Sequence, residues 1–203
     1  SIVKIPINNN EYYLLENRQR DVFKDGANLK INLNGVEIAK HFPKDTTGFY
    51  SYSVDSLSGV VTDVDEFDWA VPGNGILIWH IDESVINANL ATNTINNNKD
   101  KRGVDVEEAD GIQDIGETFT TVFGDQVIGE GDSLDLWYLG NKAKLYKNVF
   151  DDNSKPDSKS NTGAKSLITI DNFSESSNKI SFRVSRGSSE VVLNQQVDLG
   201  LPN

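Results

Sequence analysis

Along much of the chain, apolar and polar residues alternate with a period of two, the pattern of a strand with one buried face. Residues 179–184 show it plainly, with Ile180, Phe182 and Val184 on one side and Ser181 and Arg183 on the other. Leu29, Ile31 and Leu33 alternate with polar residues in the same way and lead into Asn34-Gly35, then Val36-Glu37-Ile38. Asn-Gly supplies the two positive-φ residues of a type I′ turn, so a tight hairpin is predicted there. Residues 2–7 and 11–16 predict another hairpin across Asn8-Asn9-Asn10, and residues 48–54 and 58–62 a further pair. Residues 75–81 are apolar on both faces, which predicts a central, buried strand. Residues 104–107 and 166–170 complete the strand signals.

Helix signals are weak. Residues 84–90 predict one short helix, and residues 111–123 have room for another. Residues 87–102, 125–135 and 151–163 are rich in Asn, Asp, Ser and Gly, the chemistry of turns and loops. The 22 Asn of the chain favour loops over helix interiors. The predicted class is therefore mainly β, an antiparallel β-sandwich-like fold with long Asn/Asp-rich loops and one or two short helices. Residues 1–186 read as one β-rich domain, and residues 187–203 as a linker and an added strand leading to a further segment.

With 203 residues, the chain is long enough to bury a substantial core. Its net charge of −12 repels phosphate backbones and anionic lipid, so neither nucleic acid nor an anionic membrane is an expected partner. The longest apolar run, at residues 75–79, is too short to span a membrane. With no Cys, the chain has no disulfide, thiol nucleophile or Cys-ligated metal. With only His41 and His80, it has no three-His metal site. The absence of Met, even at position 1, predicts a piece of a longer protein.

HExxH, GxSxG and phosphate-binding glycine motifs are all missing. His80 and Asp82 end the buried strand two residues apart, on one face. They are read either as a metal or orienting pair, or as polar groups hydrogen-bonded where the core meets a loop. Residues 104–111 carry Asp105, Glu107, Glu108 and Asp110, with Asp114 beyond. Such a run is neutralised by Arg102 or Lys101, holds calcium through its hard oxygens, or forms a solvated edge. Glu107 and Glu108 point apart in a strand, which argues against a glycosidase acid/base pair. A second oxygen-rich loop, residues 151–161, lacks the Gly and Glu of an EF-hand. The acidic group Asp63, Asp65, Glu66 and Asp68 reads as a solvated turn.

Three segments in order carry a family resemblance: Glu11-Tyr12-Tyr13-Leu14-Leu15-Glu16-Asn17-Arg18-Gln19, then residues 72–82 (PGNGILIWHID), then residues 102–111 (RGVDVEEADG). Together they resemble the secreted metallopeptidases of the immune inhibitor A type, and residues 160–173 are similar to the closing strands of such proteins. The resemblance covers residues 1–186 and implies a β-rich part lying C-terminal to the zinc-binding HExxH helix. It supplies no catalytic residue to this chain and places zinc only in a catalytic domain outside it. It implies structural calcium, carried onto Asp82, Glu107, Glu108, Asp110 and Asp114. The implied partner is the catalytic domain of the same or a companion polypeptide, and the implied location is secreted or at the cell surface. The alternative is an assembly or adhesion module of a cell surface or filament, self-assembling as its C-terminal tail, residues 191–201, donates a strand to a neighbour.

Overall fold

A computed structural model of the chain describes residues 2–42, 59–187 and 189–198. In chain order its strands are β1 (Ile2–Pro6), β2 (Glu11–Arg18), β3 (Ala27–Leu33), β4 (Val36–Phe42), β5 (Val60–Val64) and β6 (Gly75–Asp82). There follow the helix α1 (Glu83–Asn89), a 3-10 turn at Leu90–Thr92, then β7 (Val104–Val106), β8 (Thr118–Thr120) and β9 (Gln126–Ile128). The chain closes with β10 (Val149–Phe150), β11 (Ile168–Asp171), β12 (Lys179–Arg186) and β13 (Ser189–Asp198). The fold is mainly β, as the alternation predicts. No helix among the described residues is long and apolar enough to cross a membrane.

The chain divides into two compact units, one of residues 1–17 and 75–203, the other of residues 18–74. The larger unit is sandwich-like, with sheet orders β1-β2-β6-β7 and β10-β11-β12-β13. Its core draws from both sheets: Ile5, Tyr13, Leu15, Ile76 and Ile78 from the first, and Phe150, Ile168, Ile170, Ile180, Phe182 and Val184 from the second. Burial on β2 alternates strictly, so Glu11, Tyr13, Leu15 and Asn17 all turn inward. On β12 the predicted apolar face, Ile180, Phe182 and Val184, is the buried one. Trp137 sits at the centre, 1% exposed, with its ring against Tyr146, Phe150 and Phe173. Its backbone exchanges hydrogen bonds with Ile76, and its indole Nε1–H donates to the Glu107 carbonyl at 2.7 Å. An indole this deeply buried needs such a partner for its N–H. Strand β13 pairs with β12, placing the added strand read after residue 187 onto the second sheet.

The smaller unit is a three-stranded antiparallel sheet ordered β4-β3-β5. Ala27, Leu29, Ile31 and Phe42 form its core, with Val64 and Trp69 packed on them. The hairpin turns at Asn34 and Gly35, whose φ values of 53° and 84° match the predicted type I′ geometry. Replacing Gly35 with Ala places a Cβ in open space but keeps it at positive φ. The expected cost is about 1 kcal/mol, measured by urea unfolding; an unchanged midpoint would show that the turn does not set this register. The strand predicted at residues 48–54 lies outside the described residues, and β5 pairs with β3.

The helix expected at residues 84–90 is present, one residue earlier. Residues 111–123 do not form the second one. Gly111 and Gly116 adopt positive φ there, and the β-branched run Thr118, Thr120, Thr121 and Val122 opens a hairpin.

Candidate functional site

Strand β6 runs between β2 and β7, and each of the three supplies or leads into one member of a buried polar cluster. His80 lies between two carboxylates. Its Nδ1 is 3.0 Å from Glu107 Oε1, and its Nε2 is 2.9 Å from Glu11 Oε1. All three residues are buried. A neutral imidazole has one N–H and one lone pair, so with both carboxyls ionised the ring must carry both protons. Burial opposes that charge, but Glu107 and Glu11 outweigh it and push the His80 pKa up to about 9. Burial raises the Glu11 carboxyl too, yet His80 and the Asn161 N–H together hold it below its ordinary value. Glu107 is shifted up by burial despite His80. The Tyr13 ring lies 4.9 Å from the imidazole, and its hydroxyl is shifted upward by burial and the charges of Glu107 and Glu11.

The loop after β10 closes this cluster. The Asn161 backbone N–H donates to Glu11 Oε1 at 2.5 Å, and its side-chain amide donates to Asp82 Oδ2 and to the Arg102 carbonyl, both at 3.0 Å. Asp82 also caps α1, its Oδ1 accepting from the N–H groups of Ser84 and Val85. His80 and Asp82 thus share a strand face and serve different partners. Both ring nitrogens of His80 face carboxylates, so the ring ties β6 to Glu11 on β2 and to Glu107 just after β7.

A second group forms on the other side of the same segment. Glu107 turns to His80, while Glu108 comes together with Asp110 and Asp135; one carboxylate oxygen from each lies within 4.8 Å of the others. Glu108 and Asp135 are buried and Asp110 is half-buried. The Ala109 N–H donates to the Asp135 carbonyl at 3.0 Å, which brings residue 135 to this place. Glu108 accepts from the N–H groups of Asp114 and Ile115, Asp110 from Ile112, and Asp135 from Asp132. Among the described residues, no Lys, Arg or His forms an ion pair with any of the three. Burial first, then the repulsion of Asp135 and Asp114, pushes the Glu108 pKa up to about 8. Burial and the charges of Asp132, Asp110 and Asp114 push Asp135 up to about 7. Asp110 is shifted upward by burial and by Asp132 and Asp114. Three hard oxygens without a counter-charge are a donor set suited to calcium.

Of the five residues named for calcium, the structure brings Glu108 and Asp110 together and sets Asp114 beside them through its N–H and its charge. It gives Asp82 to the helix cap and Glu107 to His80. Asp135 and Asp132 were not singled out in the sequence; the one signal for them was the Asp-Ser-Leu-Asp spacing at the end of a turn-rich loop. Glu11 was read only as the first residue of a strand. In residues 151–161, buried Asp152 acts as a backbone anchor, accepting from the N–H groups of Ser166 and Leu167 and from the Ser158 hydroxyl. In the smaller unit, Asp21, Asp25 and Glu66 also lie close together. Glu66 there is buried, accepting from Val22 and Phe23, so the acidic turn is not wholly solvated. Asp68 pairs with Arg18 at 2.6 Å.

The chain matches no family model, no curated protein and no solved structure.

Proposed function

We propose that this chain is a non-catalytic β-rich module of a secreted bacterial metallopeptidase, packing against and supporting a catalytic domain that carries the zinc. Calcium bound at Glu108, Asp110 and Asp135 steadies it. One observation carries the reading: the four segments that bear the family resemblance, remote in sequence, converge on a single buried cluster. The first gives Glu11, the second His80, the third Glu107, and the fourth the N–H of Asn161. Segments far apart in sequence are thereby given a joint structural task, holding neighbouring strands and a loop in register. The burial of this cluster and its lack of a free ring nitrogen favour support over catalysis.

Elemental analysis of the purified chain, after dialysis against buffer with micromolar calcium and zinc, tests the reading. The expected result is one calcium ion per chain, no zinc and no hydrolysis of casein. Stoichiometric zinc, or casein hydrolysis that His80→Ala abolishes, would overturn it, as would a chain that retains no calcium.

A further inference from the structure

The hairpin β8–β9 is a two-stranded sheet with no third strand among the described residues, and its side chains are exposed on both faces. Two strands alone are marginally stable in water. This hairpin is nevertheless firmly built. At its base, the Gly116 N–H donates to the Gly129 carbonyl and the Gly129 N–H to that of Glu117. A Cβ on Gly129 would lie 2.1 Å from the Asp114 carbonyl oxygen, so only glycine allows this approach. Arg102 pairs with Glu117 beside the base and with Asp105 on β7. At the tip, the Thr121 Oγ1 accepts from the N–H groups of Phe123 and Asp125.

What this arm holds out is apolar. Val122 is 95% exposed and Phe123 89%, with Phe119, Val127 and Ile128 also exposed along the stem. An apolar patch of this kind on a fixed support marks an interaction surface. Its surroundings decide the partner. Arg102 neutralises Asp105 and Glu117 at the base, while Asp125 at the tip and Glu130 and Asp132 just past the base are exposed, and residues 103–141 carry no Lys, Arg or His. Anionic lipid is repelled, and so is a second copy of a chain whose net charge is −12.

We propose that the β8–β9 arm is a docking element for a cationic protein surface. Val122 and Phe123 enter an apolar pocket, Lys or Arg at the pocket's rim faces Asp125, and further basic residues along the partner face Glu130 and Asp132 past the arm's base. This goes beyond the support role proposed above and does not depend on calcium. An aromatic anchor within a charged rim gives affinity through the anchor and speed and selectivity through the rim.

The probe is a fluorescent amphipathic peptide of Leu and Lys, followed by anisotropy with the full chain. Polylysine and phosphatidylcholine vesicles serve as controls. The peptide is expected to bind, about tenfold more weakly to Phe123→Ser, and more weakly still when salt rises from about 50 to about 300 mM. Because Phe123 is exposed, the variant should melt like the wild type, so lost binding is not lost folding. Failure of the peptide to bind, or peptide binding that Phe123→Ser leaves unchanged, overturns the proposal. Equal binding of polylysine makes charge alone sufficient and also overturns it. Binding to the neutral vesicles, or a concentration-dependent dimer that Phe123→Ser abolishes, would assign the tip to lipid or to a second copy instead.

Discussion

Replacing His80 with Ala is expected to cost about 3–5 kcal/mol of folding stability. Among the described residues, the imidazolium is the only cation paired with Glu11 and Glu107, at 2.9 and 3.0 Å, and both carboxylates are buried. Without it, two buried negative charges face a cavity, and each must be protonated or left unpaired. Glu107→Gln keeps an oxygen to accept from the ring and removes one of the charges, so its cost is smaller, about 1–2 kcal/mol. The pH dependence separates this from simple loss of packing. The folded pKa of His80, about 9, lies above its ordinary 6.5. The imidazolium's contribution is therefore fully present below pH 6.5 and is lost as pH rises through 9. Urea midpoints of the wild type should fall across that window, and those of His80→Ala should fall less. A loss below about 1 kcal/mol with an unchanged pH slope would mean that the ring is neutral and the cluster contributes little.

The parts of the fold that depend on neighbours in sequence were legible before the structure. Ile180, Phe182 and Val184 announce a strand and its buried face, because period-two burial is a local property. Asn34-Gly35 announces its turn because the φ requirement is local as well. The opposed directions of Glu107 and Glu108 were legible for the same reason, and the structure sends one to His80 and the other to Asp110 and Asp135. The meeting of Glu11 with His80 was not legible, because it depends on β2 lying beside β6 with the whole of residues 18–74 between them. Asp135 was hidden similarly, since its place follows from one backbone bond to Ala109 across an irregular loop. The helix for which residues 111–123 had room did not form, because two positive-φ glycines and a β-branched run favour turns and a hairpin there.

The carboxylate group offers the second large effect, and its sign depends on calcium. Without metal, the folded pKa of Asp135 is raised from 3.8 to about 7, and that of Glu108 from 4.5 to about 8. A carboxyl with a raised folded pKa favours folding below its ordinary value, and that advantage is lost as pH rises to the folded value. The metal-free chain should therefore lose stability between about pH 4 and pH 8. Calcium acts in reverse. It binds the ionised carboxylates, so it should stabilise more at pH 8 than at pH 5, by about 2.7 kcal/mol at a hundredfold excess over Kd. In Asp135→Asn, one oxygen still accepts from the Asp132 N–H, and the amide turns a donor toward Glu108 and Asp110. At pH 8 this variant should be more stable than the wild type by about 1 kcal/mol in chelator, and less stable in calcium. Thermal melts of both proteins with and without calcium test the crossing. A merely structural Asp135 would lose stability in both conditions, and a solvated acidic edge would change little in either. Only a cation site makes the same substitution help without calcium and harm with it.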